Sequence, residues 1–131
     1  MSVDSIGNFL TIIRNGTTAS KQYVVTPYST INFEIGRILL NEGFIKECAL
    51  VEEDNGQKQI KVSLKYVDGE SAIHEIKRIS TPGRRFYAGS ATIKPVIGGL
   101  GISILTTNQG LLTNKKAKQL SVGGEIICTV W

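Results

Sequence analysis

The residues whose types could do chemistry are grouped near position 108 and are Thr106, Thr107, Asn108, Gln109 and Gly110. They follow a run of β-formers that begins at Ile102, so the pattern predicts a strand that opens into a small polar corner. Such a corner holds hydroxyls, an amide pair and backbone N–H groups at fixed positions. These groups suit the recognition of hydrogen-bonding edges and phosphates, and they suit bond-making chemistry poorly. A plain turn is the alternative for the same five residues.

A second group of candidates lies in a tight turn followed by an aromatic residue, and consists of Ser80, Pro82, Gly83, Arg84, Arg85 and Tyr87. The two guanidinium groups supply positive charge for phosphates, and the tyrosine ring supplies a flat surface for a base or a sugar. On pattern alone, Tyr87 is equally consistent with a core position.

Further candidates follow toward the C-terminus. Lys115 and Lys116 come within one or two helical turns of the polar corner and are expected to flank it with positive charge. Gly123 and Gly124 precede Glu125, which repeats the pattern of small backbone followed by one polar side chain. A carboxylate in a basic region either pairs with a local Arg or Lys or accepts a hydrogen bond from a base amino group or a ribose hydroxyl.

The charge distribution favours a polyanionic partner. The chain has 131 residues and a net charge of +4, and residues 1–66 hold seven bases and seven acids. From Ile76 onward there are eight bases and one acid, Glu125, which gives a local charge of +7. Such a one-sided field attracts nucleic acid, although a solvated basic surface would have the same composition.

Catalytic and metal sites are not indicated, and no cofactor is expected. His74 is the only imidazole, and it lies in a strand pattern with Glu75 on the opposite face. Cys48 and Cys128 have no metal-ligand spacing, and Cys128 is expected to be a core thiol. The glycines of 98–101 match no phosphate-loop pattern and are expected to permit a bend and close backbone approach. No apolar run approaches the roughly 20 residues that cross a bilayer, so no membrane contact is expected.

Helical periodicity predicts two helices in the first half of the chain. Asp4 is the expected cap of the first helix, and Gly16 is its expected end. Ser29 or Thr30 is expected to cap the second helix, which Gly43 ends in the left-handed conformation.

Strand signals alternate with these helices. Tyr23-Val24-Val25-Thr26 is an extended piece closed by Pro27. Ile45–Glu52 and Gln59–Tyr66 are expected to form a hairpin through the turn Asp54-Asn55-Gly56. This half is therefore predicted to be an α-β-α-β-β two-layer module without an enzyme pocket.

The turn Val67-Asp68-Gly69-Glu70 is the predicted boundary between two domains, 1–67 and 68–131, and the fold class is α+β. The second domain is expected to be mostly β with one short helix. Its predicted elements are β-formers at Ile73, Ile76 and Ile79, one helical turn at Ile93–Ile97 interrupted by Pro95, a strand from Ile102, a Lys-rich helix from Thr113 to about Leu120, and a final strand Glu125–Trp131.

Seven short motifs are distributed over essentially the whole chain: Asp4 with Ile6, Leu10-Thr11-Ile12-Ile13-Arg14-Asn15, Glu42-Gly43-Phe44-Ile45, Leu64-Lys65-Tyr66, the turn from Ser80 to Tyr87, Gly99-Leu100-Gly101-Ile102, and Gly123-Gly124-Glu125-Ile126-Ile127-Cys128. Together they resemble the universal S-eight family of small-ribosomal-subunit proteins. Two departures stand out against that family. Thr81 replaces a basic residue, and 106–110 replaces a Ser-Thr-Ser-x-Gly stretch.

The resemblance implies a structural protein without enzyme activity that is a primary binder of small-subunit ribosomal RNA. It would bind an irregular helix of the RNA's central domain and aid subunit assembly, in a ribosome of the bacterial cytoplasm or the plastid stroma. The implied partners are that RNA, neighbouring small-subunit proteins and, in some members of the family, the protein's own messenger.

The residues and the resemblance together predict how the RNA is held. Base edges or ribose would bind Thr106, Thr107 and Asn108, and the RNA backbone would come close at Gly110 and Gly124. Phosphates would lie at Arg84, Arg85, Lys115 and Lys116, and Tyr87 would pack on the backbone or a base. A neighbouring stretch of RNA would contact Arg14, Asn15 and Lys21. Two other interpretations stay open: a module that contacts only proteins, and an unrecognised small enzyme.

Overall fold

The structure, a computed structural model, describes residues 4–96 and 99–131. The chain divides into two compact units, Met1–Ile73 and His74–Trp131. The first combines two helices with a small sheet, and the second is mostly β with one short helix, so the predicted α+β class is confirmed. The turn predicted as the domain boundary, 67–70, lies a few residues before the division between the two units. Its residues Asp68 and Gly69 both have positive φ and join two short strands of the first unit.

The first helix, α1, spans Ser5–Thr18. Asp4 caps it as predicted, and its Oδ1 accepts a hydrogen bond from the Gly7 N–H at 3.0 Å. The predicted end at Gly16 is wrong, because this glycine lies inside the helix and faces the next strand. A Cβ there would lie 2.5 Å from Cγ1 of Val24, so Gly16 permits close packing of helix on strand.

The second helix, α2, spans Thr30–Asn41. Ser29 is its cap, with the side-chain hydroxyl accepting from the Asn32 N–H at 3.1 Å. Gly43 follows the helix with φ of +82°, which confirms the predicted left-handed residue.

Three antiparallel strands complete the body of the first unit in the spatial order β1-β3-β2. They are β1 (Tyr23–Pro27), β2 (Ile45–Glu52) and β3 (Lys58–Leu64). The predicted hairpin is confirmed, since β2 and β3 pair along their length. The predicted second arm ends too late, because Tyr66 belongs to a separate strand, β4 (Tyr66–Val67), which pairs with β5 (Glu70–Ser71).

The first unit has one covered sheet face and one open face. Apolar side chains of the helices, such as Leu10 and Ile35, are buried together with Ile60 and Val62 of the central strand. Alternate residues of the strands project from the opposite face, on which Tyr23 is 50% exposed. The helices therefore stabilise the sheet from one side only.

Among its described residues, the second unit has five strands and one helix. The strands are β6 (Ile76–Arg78), β7 (Tyr87–Ala88), β8 (Ile102–Thr107), β9 (Gly110–Thr113) and β10 (Gly124–Val130), and the helix, α3, is Asn114–Gln119. The central strand is β10, which pairs with β6, β7 and β8, while β9 pairs with β8 at the edge. The sequence prediction missed β9, because it placed the helix directly after the polar corner.

The helical turn predicted over Ile93–Ile97 is wrong for the part that the structure describes, residues 93–96. Pro95 lacks an N–H, and Val96 instead forms an isolated β-bridge with Gly101. A Cβ on Gly101 would lie 2.8 Å from Cγ1 of Val96, and Gly99 has φ of +94°. The prediction that these glycines permit a bend and close approach is confirmed for Gly99 and Gly101; residues 97 and 98 lie outside the described ranges.

The short helix α3 covers one face of the second sheet. Thr113 caps it, and its Oγ1 accepts from the Lys116 N–H at 3.2 Å. Ala117 is fully buried in a cluster with Ile93 and Leu105, against which Ile126 also packs. The face of the sheet on which Leu105 lies is therefore the face that carries α3.

Candidate nucleic-acid interface

The strand register aligns three candidate side chains in one row across the second sheet. Glu125 of β10 lies opposite Tyr87 of β7 on one side and opposite Thr106 of β8 on the other. Directly opposed residues project from the same face, with Cβ atoms about 4.5–5.5 Å apart. We call Tyr87, Glu125 and Thr106 the central row.

Glu125 is held in place by an arginine from the preceding turn. Nη1 of Arg85 lies 2.9 Å from Oε2 and 3.3 Å from Oε1 of Glu125. The Glu125 side chain is only 13% exposed, whereas that of Arg85 is 53% exposed. Pairing with a local arginine, one of the two explanations offered for this carboxylate, is therefore confirmed. The oriented carboxylate can still accept hydrogen bonds from N–H or O–H groups of a ligand.

Tyr87 is 72% exposed, so the alternative that it is a core residue is wrong. Its position is set by the short strand β7, which pairs with the first residues of β10. An exposed ring beside a guanidinium–carboxylate pair is available for stacking on a base or for packing on a sugar.

The buried side chain of Ser80 stabilises the turn that precedes Tyr87. Ser80 is 2% exposed, and its hydroxyl accepts from the Phe86 N–H at 2.9 Å and donates to the Phe86 carbonyl at 3.2 Å. Pro82 and Gly83 lie at the exposed end of this turn, and the guanidinium of Arg84 lies over the Phe86 ring at 5.3 Å. Ser80 therefore positions Arg84 and Arg85 and has no exposed hydroxyl with which to meet a ligand.

The polar corner is the two-residue turn of the β8–β9 hairpin, and we call residues 107–110 the hairpin tip. The Thr107 hydroxyl donates to the Gly110 carbonyl at 2.8 Å and accepts from the Gln109 N–H at 3.0 Å. Asn108 and Gln109 are exposed. Gly110 has φ of +94° and no atom within 4 Å of its Cβ position, so another backbone can approach it closely. The corner is thus a turn, and that turn presents two amides.

The structure separates two adjacent threonines that the sequence analysis grouped together. Successive strand residues project to opposite faces of the sheet. Thr106 therefore lies on the same face as Glu125, whereas Thr107 lies on the same face as Leu105. Within the described residues, the Thr106 hydroxyl has no hydrogen-bond partner, in contrast to that of Thr107. Thr106 is therefore the hydroxyl of this pair that has its proton available for a ligand.

The lysines of α3 do not share a face with the central row, and their predicted place beside the polar corner stays a prediction. Lys115 and Lys116 are exposed, but α3 packs through Ala117 on the face that carries Leu105. The central row lies on the other face of the same sheet. A ligand held at the row and at α3 must therefore pass around the end or the edge of the sheet.

Asn114 is a positioning residue that sequence reasoning missed. Its side chain is 4% exposed, and its Oδ1 accepts from the buried Ser103 N–H at 3.2 Å while its amide nitrogen lies 3.5 Å from the Lys94 carbonyl. These contacts fix the start of α3 against β8. The sequence contains one signal from which the burial of Asn114 could have been predicted. Asn114 and Ala117 are three residues apart, which places both on the inner face of the helix.

Gly123 and Gly124 are explained by packing inside this chain. A Cβ on Gly123 would overlap the Ala88 carbonyl oxygen, and a Cβ on Gly124 would overlap the Thr106 carbonyl oxygen. The expectation that Gly124 admits a ligand backbone therefore needs correction, because neighbouring strands already fill that space. Both glycines let the strands of the central row come close together.

The predicted residues of the first unit lie at the end of α1 and just beyond it. Arg14, Asn15 and Lys21 are all exposed. Asn15 and Lys21 line one open cleft between α1 and β1. The backbone carbonyl of Lys21 accepts a hydrogen bond from the Tyr66 hydroxyl at 2.6 Å, which fixes the segment that follows α1.

His74 and Cys128 have structural environments. His74 is exposed in a bend, and its ring stacks on the Trp131 ring with 5.3 Å between the centroids. The strand predicted at His74 is wrong, because the N–H groups of His74 and Glu75 both donate to the Trp131 carbonyl.

Burial raises the pKa of Cys128 to about 12, which keeps the thiol protonated at neutral pH and confirms the core assignment. In the two described ranges, no group of three or more His, Cys, Asp or Glu side chains is arranged to hold a metal.

Within the same ranges, no helix has both the length and the apolar character required for a membrane span.

Comparisons with known proteins agree with the resemblance found in the motifs. Residues 4–131 match the family described as Ribosomal protein S8. The chain is similar to the "Small ribosomal subunit protein uS8" of Maricaulis maris strain MCS10, with 45% identity over 131 residues that cover 99% of each chain. It is also similar to the proteins of the same name from Flavobacterium psychrophilum, 47% identical over the whole of both chains, and Geotalea uraniireducens, 46% identical over 98% of this chain and 97% of the relative. On this similarity, which covers nearly all of its length, the chain belongs to the ribosomal protein S8 family.

Proposed function

We propose that this structural protein of the small ribosomal subunit binds small-subunit ribosomal RNA directly, through the central row and the hairpin tip. Its target would be an irregular helix of the central domain, and binding would hold that helix in the form needed for assembly. The observation that carries the proposal is the oriented Glu125 carboxylate between the exposed Tyr87 ring and the available Thr106 hydroxyl.

The single acid of a strongly basic region argues for base or sugar recognition at the row. From residue 76 onward, Glu125 is the only acid among eight bases, and its charge repels phosphates. A carboxylate accepts hydrogen bonds from base amino groups or ribose hydroxyls. Because A-form RNA hides base edges in a deep, narrow groove, such contacts need a minor groove, a splayed base or a distorted helix.

The hairpin tip and the basic side chains supply the remaining contacts. The Asn108 and Gln109 amides can both donate and accept, and Gly110 lets the RNA backbone come close. Arg84 would hold phosphates beside the row. Lys115 and Lys116 would hold a different stretch of backbone, because they lie on the other face of the sheet.

Residues of the first unit would contribute a separate, secondary contact. Arg14, Asn15 and Lys21 are exposed near the end of α1, where two basic side chains flank an amide. This set suits a neighbouring segment of the RNA backbone.

A filter-binding assay tests the proposal with the full chain and the isolated central-domain helix, at fixed salt and without other ribosomal proteins. A perfectly paired duplex of equal length and charge is the control RNA. We expect tight binding to the irregular helix and weak binding to the duplex. Equal affinity for both RNAs would contradict recognition of the irregular helix, and binding that requires neighbouring ribosomal proteins would support a protein-contact role instead.

The same surface would bind a segment of the protein's own messenger if that segment folds into a similar irregular helix. The assay then has a second arm, in which unlabelled messenger leader competes with the labelled ribosomal helix. Competition at similar concentrations is the expected result for a translational repressor, and no competition would limit the protein to the ribosome.

A further inference from the structure

An open cleft of about 850 Å³ lies in the first unit, and its described lining residues all belong to that unit. Three lysines and two tyrosines in its lining define what we call the lysine cleft: Lys46, Lys61, Lys65, Tyr23 and Tyr66. The cleft contains one acid, Glu47.

The fold explains why these side chains meet. Tyr23 of β1, Ser63 of β3 and Glu47 of β2 lie opposite one another in one row, on the sheet face that the helices leave open. A register shift between Ile45 and Glu47 makes Lys46 an extra residue at the start of β2. Lys65 follows directly after β3. The lysines therefore come from two strands and one strand end.

The cleft concentrates positive charge in a half of the chain that is neutral as a whole. Residues 1–66 hold seven bases and seven acids, yet the cleft has three of those bases and only one of the acids. Three further acids, Glu52, Glu53 and Asp54, lie at the other end of β2, around the hairpin turn. This segregation favours an anionic ligand at the cleft.

The aromatic rings narrow the class of anion. Tyr23 is 50% exposed, and Lys61 Nζ lies 4.5 Å from the centroid of its ring. A flat ring beside cationic groups is the combination that binds single-stranded nucleic acid, in which a base stacks on the ring and lysines hold the phosphates. An acidic peptide would use the lysines but would add no stacking on the exposed part of the ring, which in the free protein contacts Lys61.

We propose that the lysine cleft binds a short stretch of unpaired RNA, with one base on Tyr23 and phosphates at Lys46 and Lys65. A second cleft of about 820 Å³ shares Gln22 and Tyr23 with the first and contains Lys21, so the strand can continue along β1. The inference rests on the proposed function only in taking RNA as the partner, since the site and the form of RNA are different.

The first test measures affinity by fluorescence anisotropy, with the full chain and a labelled ten-nucleotide oligouridine RNA over a range of salt. The double variant Lys46→Gln, Lys65→Gln is expected to lower the slope of log affinity against log salt by about 1.4, because each phosphate contact to a single strand contributes about 0.7. Tyr23→Leu is expected to weaken binding by about 5- to 150-fold, and Tyr23→Phe, which keeps the ring, is expected to retain it.

Lys58→Gln is the matched control for charge. Lys58 is exposed and begins β3, but its ammonium lies over the Tyr28 ring, 5.9 Å from the centroid, and outside the lysine cleft. The variant removes one positive charge from the same sheet. Because that charge lies outside the lysine cleft, the affinity for the oligonucleotide is expected to change by less than about twofold. If Lys58→Gln lowered the RNA affinity as much as the single variant Lys46→Gln does, the effect would depend on overall charge, and the proposed site would be wrong.

The second test locates the RNA directly by photo-crosslinking the same oligonucleotide carrying 5-bromouridine, followed by peptide mapping. An adduct on Tyr23 is expected. Adducts confined to Tyr87 and its neighbours would overturn the proposal while leaving the central row intact as an RNA site. Equal binding of a ten-residue oligoglutamate, unaffected by Tyr23→Leu, would assign the cleft to an acidic protein segment.

Discussion

At the residue scale, Thr106 and Thr107 are adjacent but differ in hydrogen bonding: within the described residues, the Thr107 hydroxyl has two partners and the Thr106 hydroxyl has none. We predict that Thr106→Val weakens binding to the irregular RNA helix by about 1–3 kcal/mol, the size of a lost base-edge contact. The free energy of unfolding should change by less than about 0.5 kcal/mol, because this hydroxyl has no partner within the described residues. Filter binding and urea unfolding of the same preparation measure the two quantities.

The opposite pattern is predicted for Thr107→Val. Its hydroxyl makes two hydrogen bonds within the hairpin tip, each of which contributes about 0.5–1.5 kcal/mol. The variant should therefore lower the free energy of unfolding, and Thr107→Ser should restore most of it. The assignments of Thr106 as the RNA contact and Thr107 as the structural residue would be reversed by two results together. Thr107→Val would have to lose RNA binding strongly with unchanged stability, and Thr106→Val would have to show no effect.

Glu125 gives a further prediction at this scale. Glu125→Gln keeps the shape of the side chain but removes the charge that Arg85 holds at 2.9 Å. Since Arg85 is about half exposed, the loss of unfolding free energy should stay below about 1 kcal/mol. Affinity for the irregular helix should fall by about 1.5–3 kcal/mol, the value for hydrogen bonds to a charged group. An equal loss on random RNA would contradict a role in recognition.

At the element scale, the close approach of β8 and β10 depends on one glycine. A Cβ on Gly124 would overlap the Thr106 carbonyl oxygen, so Gly124→Ala must push the two strands apart. We predict a loss of about 1–3 kcal/mol in the free energy of unfolding, the usual cost of overpacking.

Gly83→Ala is the matched control, since nothing lies within 4 Å of its Cβ position and its φ is ordinary. It should change the free energy of unfolding by less than about 0.5 kcal/mol. Equal melting temperatures for the two variants would show that the strands tolerate the extra methyl group.

At the scale of the whole molecule, the charge of the second unit should determine the salt dependence of RNA binding. Neutralising Lys115 and Lys116 to Gln removes two exposed cations of α3. The slope of log affinity against log salt should fall by about 1.8, while discrimination between the irregular helix and a regular duplex stays unchanged. Binding curves at four or more salt concentrations measure this, and a loss of discrimination would place the lysines in base recognition.

Local signals in the sequence were enough to predict most elements. Asp4 and Ser29 cap their helices through hydrogen bonds within three residues, and Gly43 and Gly56 adopt positive φ, as turn chemistry requires. Interactions of this short range depend only on the nearest residues, so they can be recognised without knowing the fold.

Contacts between distant residues were decided by the tertiary structure. The sequence identified Tyr87, Thr106 and Glu125 as candidates, but only the register of three strands places them in one row. The helix stop expected at Gly16 and the ligand approach expected at Gly124 were misjudged, because in each case the neighbour that requires glycine comes from another element. The sequence alone therefore determined the residue chemistry and the local elements. Strand pairing decided which side chains share a face and which hydroxyls remain available, because those properties depend on residues far apart in the chain.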